Sequence, residues 1–230
     1  MAAIQIAGGG ARRISRLAAL LAVSAALQPA QAYRPATERE GLVAMHALAD
    51  CTVKRHRDAA MRMLAYLPES KESVQAFLAT DPSSCMSAEN DGDALAMKDH
   101  FLRGALAERL LLQDFPAIGV FAGKKLPPVF AWPDQRAFVA LKSKAKLDLT
   151  LIRIGECATE AAPDKVYALF GTPVGTIAEA GMIQSLVPVL RSCVLQGNSV
   201  ELKLATVRAY IAEGAYRVSV RRASGDRGGQ

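Results

Sequence analysis

Histidine and aromatic residues are scarce in this chain of 230 residues, which has three histidines, one tryptophan and 6% aromatic content. The histidines, His46, His56 and His100, all fall in the first half. No H-E-x-x-H pair for a catalytic zinc is present, no G-x-S-x-G turn for a serine nucleophile and no G-x-x-x-x-G-K-[ST] phosphate loop. The four cysteines are never as close as the C-x₂₋₄-C spacing of a structural zinc site. Methionine and histidine approach one another at Met45-His46, at His56 with Met61 and Met63, and at Met97 with His100. Such soft ligands suit copper, but the spacing is that of methionines filling a helical core. No catalytic residue, no metal and no cofactor is expected. Charged residues at 22% exclude a disordered chain, and Gly 17 with Pro 11 excludes collagen-like or Gly/Pro-rich classes.

Acidic residues are missing altogether from residues 1–32. Arg12, Arg13 and Arg16 form a positive front, Leu17 to Leu27 is an apolar run, and small residues follow at Ala30 and Ala32. That order is the pattern of a secretory signal peptide, 1–32, cleaved near Ala32, since a span needs about 20 apolar residues. Cleavage removes three arginines and takes the formal net charge from +6 to +3. The tail holds Arg221, Arg222 and Arg227 against Asp226, so the pI of about 9.3 belongs to the chain ends. No nucleic-acid partner is expected. Beyond residue 32 no long apolar run occurs, because Leu110 to Phe121 is broken by Gln113, Asp114 and Pro116. No transmembrane segment is expected after cleavage, and the location expected is the periplasm or the medium.

In an exported chain an even cysteine count points to disulfides. Cys51, Cys85, Cys157 and Cys193 allow three pairings, and an internal repeat ranks them. At a shift of 106, Leu-Ala-Asp-Cys51 meets Ile-Gly-Glu-Cys157, Asp58 meets Asp164, Ser70 meets Thr176 and Pro82 meets Pro188. Past the second cysteine the shift is 105, and Arg103 and Glu108 meet Arg208 and Glu213. If each copy closes its own bridge, the pairs are Cys51–Cys85 and Cys157–Cys193.

The expected fold is all-α, with two tandem helical repeat units, each carrying one disulfide, joined by an apolar, proline-rich segment. Repeat 1 is placed at 33–113, the connecting segment at 114–145, repeat 2 at 146–220 and a disordered tail at 221–230. Pro163-Asp164 opens a short helix, and Asp58 is expected to do the same in the first copy. Thr176-Ile-Ala-Glu179 is a capping-box pattern, and Ser70 takes the cap position in the first copy. Pro82 and Pro188 should end or kink the helices they follow. Leu102, Ala105, Leu106 and Leu110 mark the clearest stripe, echoed by Val207, Ile211 and Ala215. The connecting segment carries Phe115, Phe121, Phe130 and Trp132, so it should pack on the units, with a short hairpin about Gly123-Lys124-Lys125.

The pattern G-E-C … P … C … R-G/A-x-x-A-E occurs twice, in I-G-E-C157 with V-R208-A-Y-I-A-E213 and more loosely in L-A-D-C51 with L-R103-G-A-L-A-E108. It resembles a group of uncharacterised exported alphaproteobacterial proteins. The resemblance covers both repeats and implies the duplicated, disulfide-bonded helical architecture, with no activity or cofactor.

Arg103, Glu108, Arg208 and Glu213 are the best polar candidates. Five positions apart, each Arg and Glu sit about 140° apart on a helix, so the arginine should reach another helix, with Asp50 or Glu156 as partner. Lys54, Arg55, Arg57 and Arg62 crowd one helix of the first copy and have no counterparts in the second. They are a solvated face or a surface for an anionic lipid or envelope polymer. The expected role is a non-enzymatic envelope or protein-interaction module, with an exposed apolar patch about Trp132 as a partner site. The alternative is an enzyme or small-ligand carrier with a site between the repeats.

Overall fold

In a computed structural model the described residues are 38–85, 99–194 and 204–225, and among them every regular element is helical. Helix α1 spans Glu38–Ala65, α2 Lys71–Leu78, α3 Asp99–Asp114, α4 Gln135–Ala140, α5 Ser143–Ala161, α6 Pro163–Phe170, α7 Ile177–Ser192 and α8 Leu204–Ala223. A 3₁₀ turn, Pro82–Cys85, follows α2. The expected signal peptide lies outside the described residues, as do the polar loops that follow Cys85 and Val194 and the end of the expected tail. Helix α8 runs three residues into that tail, through Arg221, Arg222 and Ala223.

Helix α8 is the centre. Every residue from Val207 to Val220 is buried, with α5 packed on one side and α3 on another. Helix α1 lies against α3, and α2 against α1. One hydrophobic cluster joins Leu64, Leu106, Leu110 and Phe115 with Leu149, Ile152, Leu169, Leu186 and Ile211. Fully burying side chains of this size contributes about 1.5–3 kcal/mol each. The two halves therefore share one core, and residues from Arg34 on form one compact unit.

Local signals set the helix ends. Thr176 caps α7 by accepting from the Glu179 amide at 3.3 Å, and Ser70 caps α2 by accepting from the Ser73 amide at 3.1 Å. Glu69 and Gly175, the residues before these caps, both have positive φ, 60° and 70°. Gly175 carries that conformation without Cβ strain. Pro163 opens α6, where its missing N–H is not needed. Asp58, the counterpart of Asp164, opens no separate helix. Helix α1 instead runs through with a kink at His56, φ −131° and ψ 39°. The break between α5 and α6 falls at Ala162, with φ −146° and ψ 59°, and His56 and Ala162 are 106 positions apart. Pro188 does not end its helix, since α7 carries it internally.

The disulfides are Cys51–Cys85 and Cys157–Cys193, with Cα separations of 5.7 and 5.8 Å. The first ties α1 to the 3₁₀ turn and the second ties α5 to the end of α7. The connecting segment packs inward as its composition suggests. Phe115 and Phe130 are buried, and Tyr167 donates to the Phe115 carbonyl at 2.8 Å. No hairpin forms about Gly123. The nearest feature is a single bridge between Ala117 and Val120, closed at Gly119 with φ 79°.

Candidate functional site

The repeated polar positions meet at the α3–α8 interface, and they pair reciprocally. Arg103 reaches Glu213 through Nη2 at 2.6 Å and Nε at 3.2 Å. Arg208 reaches Glu108 through Nη2 at 2.6 Å and Nε at 2.8 Å. Both are two-pronged guanidinium–carboxylate pairs, the geometry that makes arginine the residue for buried ion pairing. All four side chains are buried. Asp50 and Glu156, the partners expected from the sequence, serve other cations. Asp50 holds Lys54 and Arg109, and Glu156 holds Arg221.

Each arginine also satisfies carbonyls left open where the chain turns. Arg103 donates to the Met63 carbonyl at 2.8 Å, the Tyr66 carbonyl at 3.2 Å and the Ser73 hydroxyl at 2.9 Å. Arg208 donates to the Thr172 carbonyl at 3.1 Å and to Glu179 at 3.1 Å. Glu179 in turn accepts from the Gly175 amide at 2.6 Å. One guanidinium thus ties its own helix to the other half and to the end of a preceding helix. Burial alone would lower the pKa of Arg208, but the bonds and charges of Glu108 and Glu179 outweigh it, and the net shift is upward. For Glu213, burial raises the carboxyl while the Arg103 and Arg217 guanidiniums lower it further, and the net shift is downward.

A shallow recess, open to solvent, lies beside the Arg208–Glu108 pair. His46 stands at its mouth with Nδ1 4.0 Å from Glu108 Oε1, and Leu42, Met45, Phe101 and Val174 form the apolar wall. Burial lowers the His46 pKa, Glu108 and Glu179 raise it and Arg208 lowers it, for a net fall from 6.5. A smaller recess adjoins the Arg103–Glu213 pair, with His100, Asp148 and Tyr210 on its lining. There the Tyr210 hydroxyl donates to Asp148 at 2.6 Å and His100 stacks on the Tyr210 ring. The first recess encloses about 10 Å³, room for about one water molecule, far below the roughly 300–1,000 Å³ of ligand pockets.

The sequence reading missed Arg217, although it stands four positions after Glu213, where a helical ion pair forms. Arg217 is buried, bonds Glu213 at 2.5 Å and lies 3.4 Å over the Phe130 ring. Burial lowers its pKa to about 10. Trp132 stands edge-on to Phe130 at 5.1 Å, with Arg153 over its face at 4.2 Å. Trp132 is thus partly buried by packing within the chain, while Val129 and Val139 of the same segment are exposed.

The basic cluster divides. Lys54, Arg55 and Arg62 are exposed. Arg55 donates to the Ser84 carbonyl at 3.1 Å, beside Cys85. Arg57 turns inward and pairs with the buried Asp114, so this member belongs to the framework and not to a dispensable patch. Among the described residues, no group of three or more His, Cys, Asp or Glu could hold a metal ion; Met45, Met61 and Met63 are core residues, and Met97 lies outside the described residues. Among the described residues, no helix is long and apolar enough to cross a membrane. No family model matches the chain, and neither the curated proteins nor the solved structures give a match.

Proposed function

We propose that this chain is an exported, non-enzymatic helical protein, built by tandem duplication, that works as an envelope or protein-interaction module. The observation that carries the duplication is the reciprocal exchange of ion pairs, Arg103 with Glu213 and Arg208 with Glu108. Two copies related by a two-fold axis exchange contacts in this way, i to j and j to i. Cys51 and Cys157, the kinks at His56 and Ala162 and the positive φ at Glu69 and Gly175 all fall 106 positions apart, each half closes one disulfide, and these features support the same reading. It also accords with the resemblance to exported alphaproteobacterial proteins.

Export is supported by the two disulfides and by the positive, apolar, small-residue order of residues 1–32. The interaction role is supported by what the charges do. The convergent arginines and glutamates are bonded to one another and to main-chain carbonyls, which fixes architecture and leaves the outer surface to meet partners. Fractionation of cells expressing the full chain tests this. The protein should leave the cytoplasm shortened near Ala32 with no free thiol, and cross-linking in place should join it to an envelope component. Full-length protein with free thiols in the cytoplasm would refute the reading.

A second reading, a small-ligand carrier or enzyme, is favoured by one observation: His46, Glu108, Glu179 and Arg208 converge on the recess between α1, α3, α7 and α8. Native mass spectrometry of the purified protein distinguishes the two, since a carrier would retain a bound small molecule that is lost in Glu108→Gln.

A further inference from the structure

The two disulfides hold equivalent places but stand in different surroundings. Their loops are nearly equal, with sequence separations of 34 and 36, so chain entropy stabilises both alike. All four cysteines are half-buried, and Cys85 and Cys193 both pack at the margin of the core. The differences lie in the backbone that carries the second cysteine of each pair and in the charges beside the first.

Cys193 caps α7, a helix of 16 residues, and its amide donates to the Val189 carbonyl at 3.2 Å. Cys85 stands instead in a 3₁₀ turn of four residues. That turn is joined to α2 through Asp81 at φ 42°, a left-handed conformation that strains a residue bearing a Cβ. Helix α7 runs unbroken through the equivalent Val187. Ser83 and Ser84, beside Cys85, are exposed.

Arg55 stands one turn after Cys51 and before the kink at His56, so it shares the cysteine's side of α1. Its guanidinium donates to the Ser84 carbonyl at 3.1 Å, and it therefore spans the two elements that the disulfide joins. The neighbouring Asp50 is bonded by both Lys54 and Arg109. Three cations thus gather here with one carboxylate. In the second half Ala161 takes the place of Arg55 and Glu160 that of Lys54. Arg221 bonds Glu160 and Glu156, and Arg153, one turn before Cys157, lies over the Trp132 ring. Arg191, two positions before Cys193, is about 200° round α7 from it.

We propose that Cys51–Cys85 is a thiol-exchange site, opened by a dithiol reductant while Cys157–Cys193 stays closed. A thiolate of the dithiol attacks Cys85 Sγ on the turn, and the protein disulfide breaks with its electron pair on Cys51 Sγ. Arg55 stabilises the thiolate that leaves, and a thiol of lowered pKa leaves faster. The second thiolate of the dithiol then attacks the reductant sulfur of the mixed disulfide and expels Cys85 as its thiolate. The dithiol departs as a disulfide, and its two electrons and two protons end on Cys51 and Cys85. With the bond open, the 3₁₀ turn is free to swing about Asp81 away from α1.

The test is limited reduction of the folded protein, purified from cells expressing the full chain, with dithiothreitol. Free thiols are trapped at intervals with N-ethylmaleimide and located by peptide mass spectrometry. Cys51 and Cys85 should label at least about threefold faster than Cys157 and Cys193, with the far-ultraviolet dichroism unchanged. Arg55→Gln should slow this labelling toward the rate of the second pair, Arg55→Lys should keep most of it, and added salt should narrow the gap. Arg191→Gln, which removes an exposed cation near the other bridge, should leave both rates as in the parent. Equal rates for the two pairs, earlier opening of Cys157–Cys193 or an unchanged rate in Arg55→Gln overturns the proposal. Labelling no faster than global unfolding, measured by hydrogen exchange of α8, overturns it as well.

Discussion

Gly104 and Ala209, 105 positions apart, press directly against each other between α3 and α8, and a Cβ on Gly104 would overlap the Ala209 backbone. The next residue toward the N-terminus on each helix is the arginine of a reciprocal pair. Close approach of the two backbones at this point is what lets both guanidiniums reach across. Gly104→Ala raises helix propensity by about 1 kcal/mol, yet it must push two central helices apart. A net destabilisation of about 1–3 kcal/mol is expected from the overpacking. Denaturant melts check it, and a midpoint equal to or above that of the parent would show that the interface gives way freely.

Breaking one reciprocal pair should weaken both halves together. Glu108→Gln leaves Arg208 with Glu179 and carbonyls as its partners, and loss of one member of a buried pair costs about 3–5 kcal/mol. Because α3 and α8 belong to one core, thermal unfolding should remain a single transition by far-ultraviolet dichroism and by Trp132 fluorescence. Two separated transitions would mean that the halves melt independently. The double change Glu108→Leu/Arg208→Met should cost clearly less than the sum of its single changes.

The parts of this framework that come from local chemistry were legible in the sequence. Cap residues at Ser70 and Thr176, the helix start at Pro163 and the two disulfide pairings are local signals or follow from the repeat interval. Other features depend on distant partners. Helix α8 is buried on every side, so a single-stripe reading through Val207, Ile211 and Ala215 captured only part of its contacts. The partners of Arg103 and Arg208 lie in the opposite half, and sequence neighbours such as Asp50 and Glu156 were the natural but wrong choices. Arg57 looked like one of four surface cations because Asp114, its buried partner, is far away in sequence.

That last contrast separates the basic cluster experimentally. Arg57→Ala leaves the buried Asp114 carboxylate without its guanidinium and should lower stability by about 3 kcal/mol or more. Lys54→Ala removes an exposed partner of Asp50, which Arg109 still holds, and exposed pairs contribute about 0–1 kcal/mol. Equal midpoints for the two variants in chemical denaturation would contradict the assignment of Arg57 to the framework.

Acid should destabilise the fold through two groups, His46 on α1 and Glu213 on α8. The folded pKa of His46 lies below 6.5, chiefly through burial. Its contribution is therefore fully present above the unfolded value near 6.5 and is lost as pH falls through the folded one. Glu213 also lies below its ordinary 4.5, because its arginines outweigh burial, so its contribution is lost at lower pH still. Glu156 acts in the opposite sense: burial raises it, and its contribution is present below 4.5 and lost as pH rises through the folded value. Unfolding free energy measured against pH should fall with acid from below pH 6.5, and His46→Gln should flatten the first part of that slope. An unchanged slope in the variant would exclude His46 as its source.

Arg217 carries a different expectation, because its burial is poorly compensated. Its Nε and Nη1 have no hydrogen-bond partner among the described residues, and burial lowers its pKa to about 10. Glu213 keeps the two-pronged bond from Arg103 when Arg217 is removed. Methionine in its place retains a flexible stem and a sulfur to lie over the Phe130 ring, which offsets part of the lost cation–π attraction. Replacing a buried, incompletely bonded charge with an apolar side chain of similar length is often neutral or stabilising by about 1–4 kcal/mol. Arg217→Met should therefore melt at or above the parent temperature, while Arg103→Met, which strips Glu213 of its main partner and opens three further bonds, should melt well below it. If Arg217→Met instead fell as far as Arg103→Met, the second guanidinium would be required to neutralise Glu213, and the buried network would have to be read as a three-membered unit rather than a pair with an attendant cation.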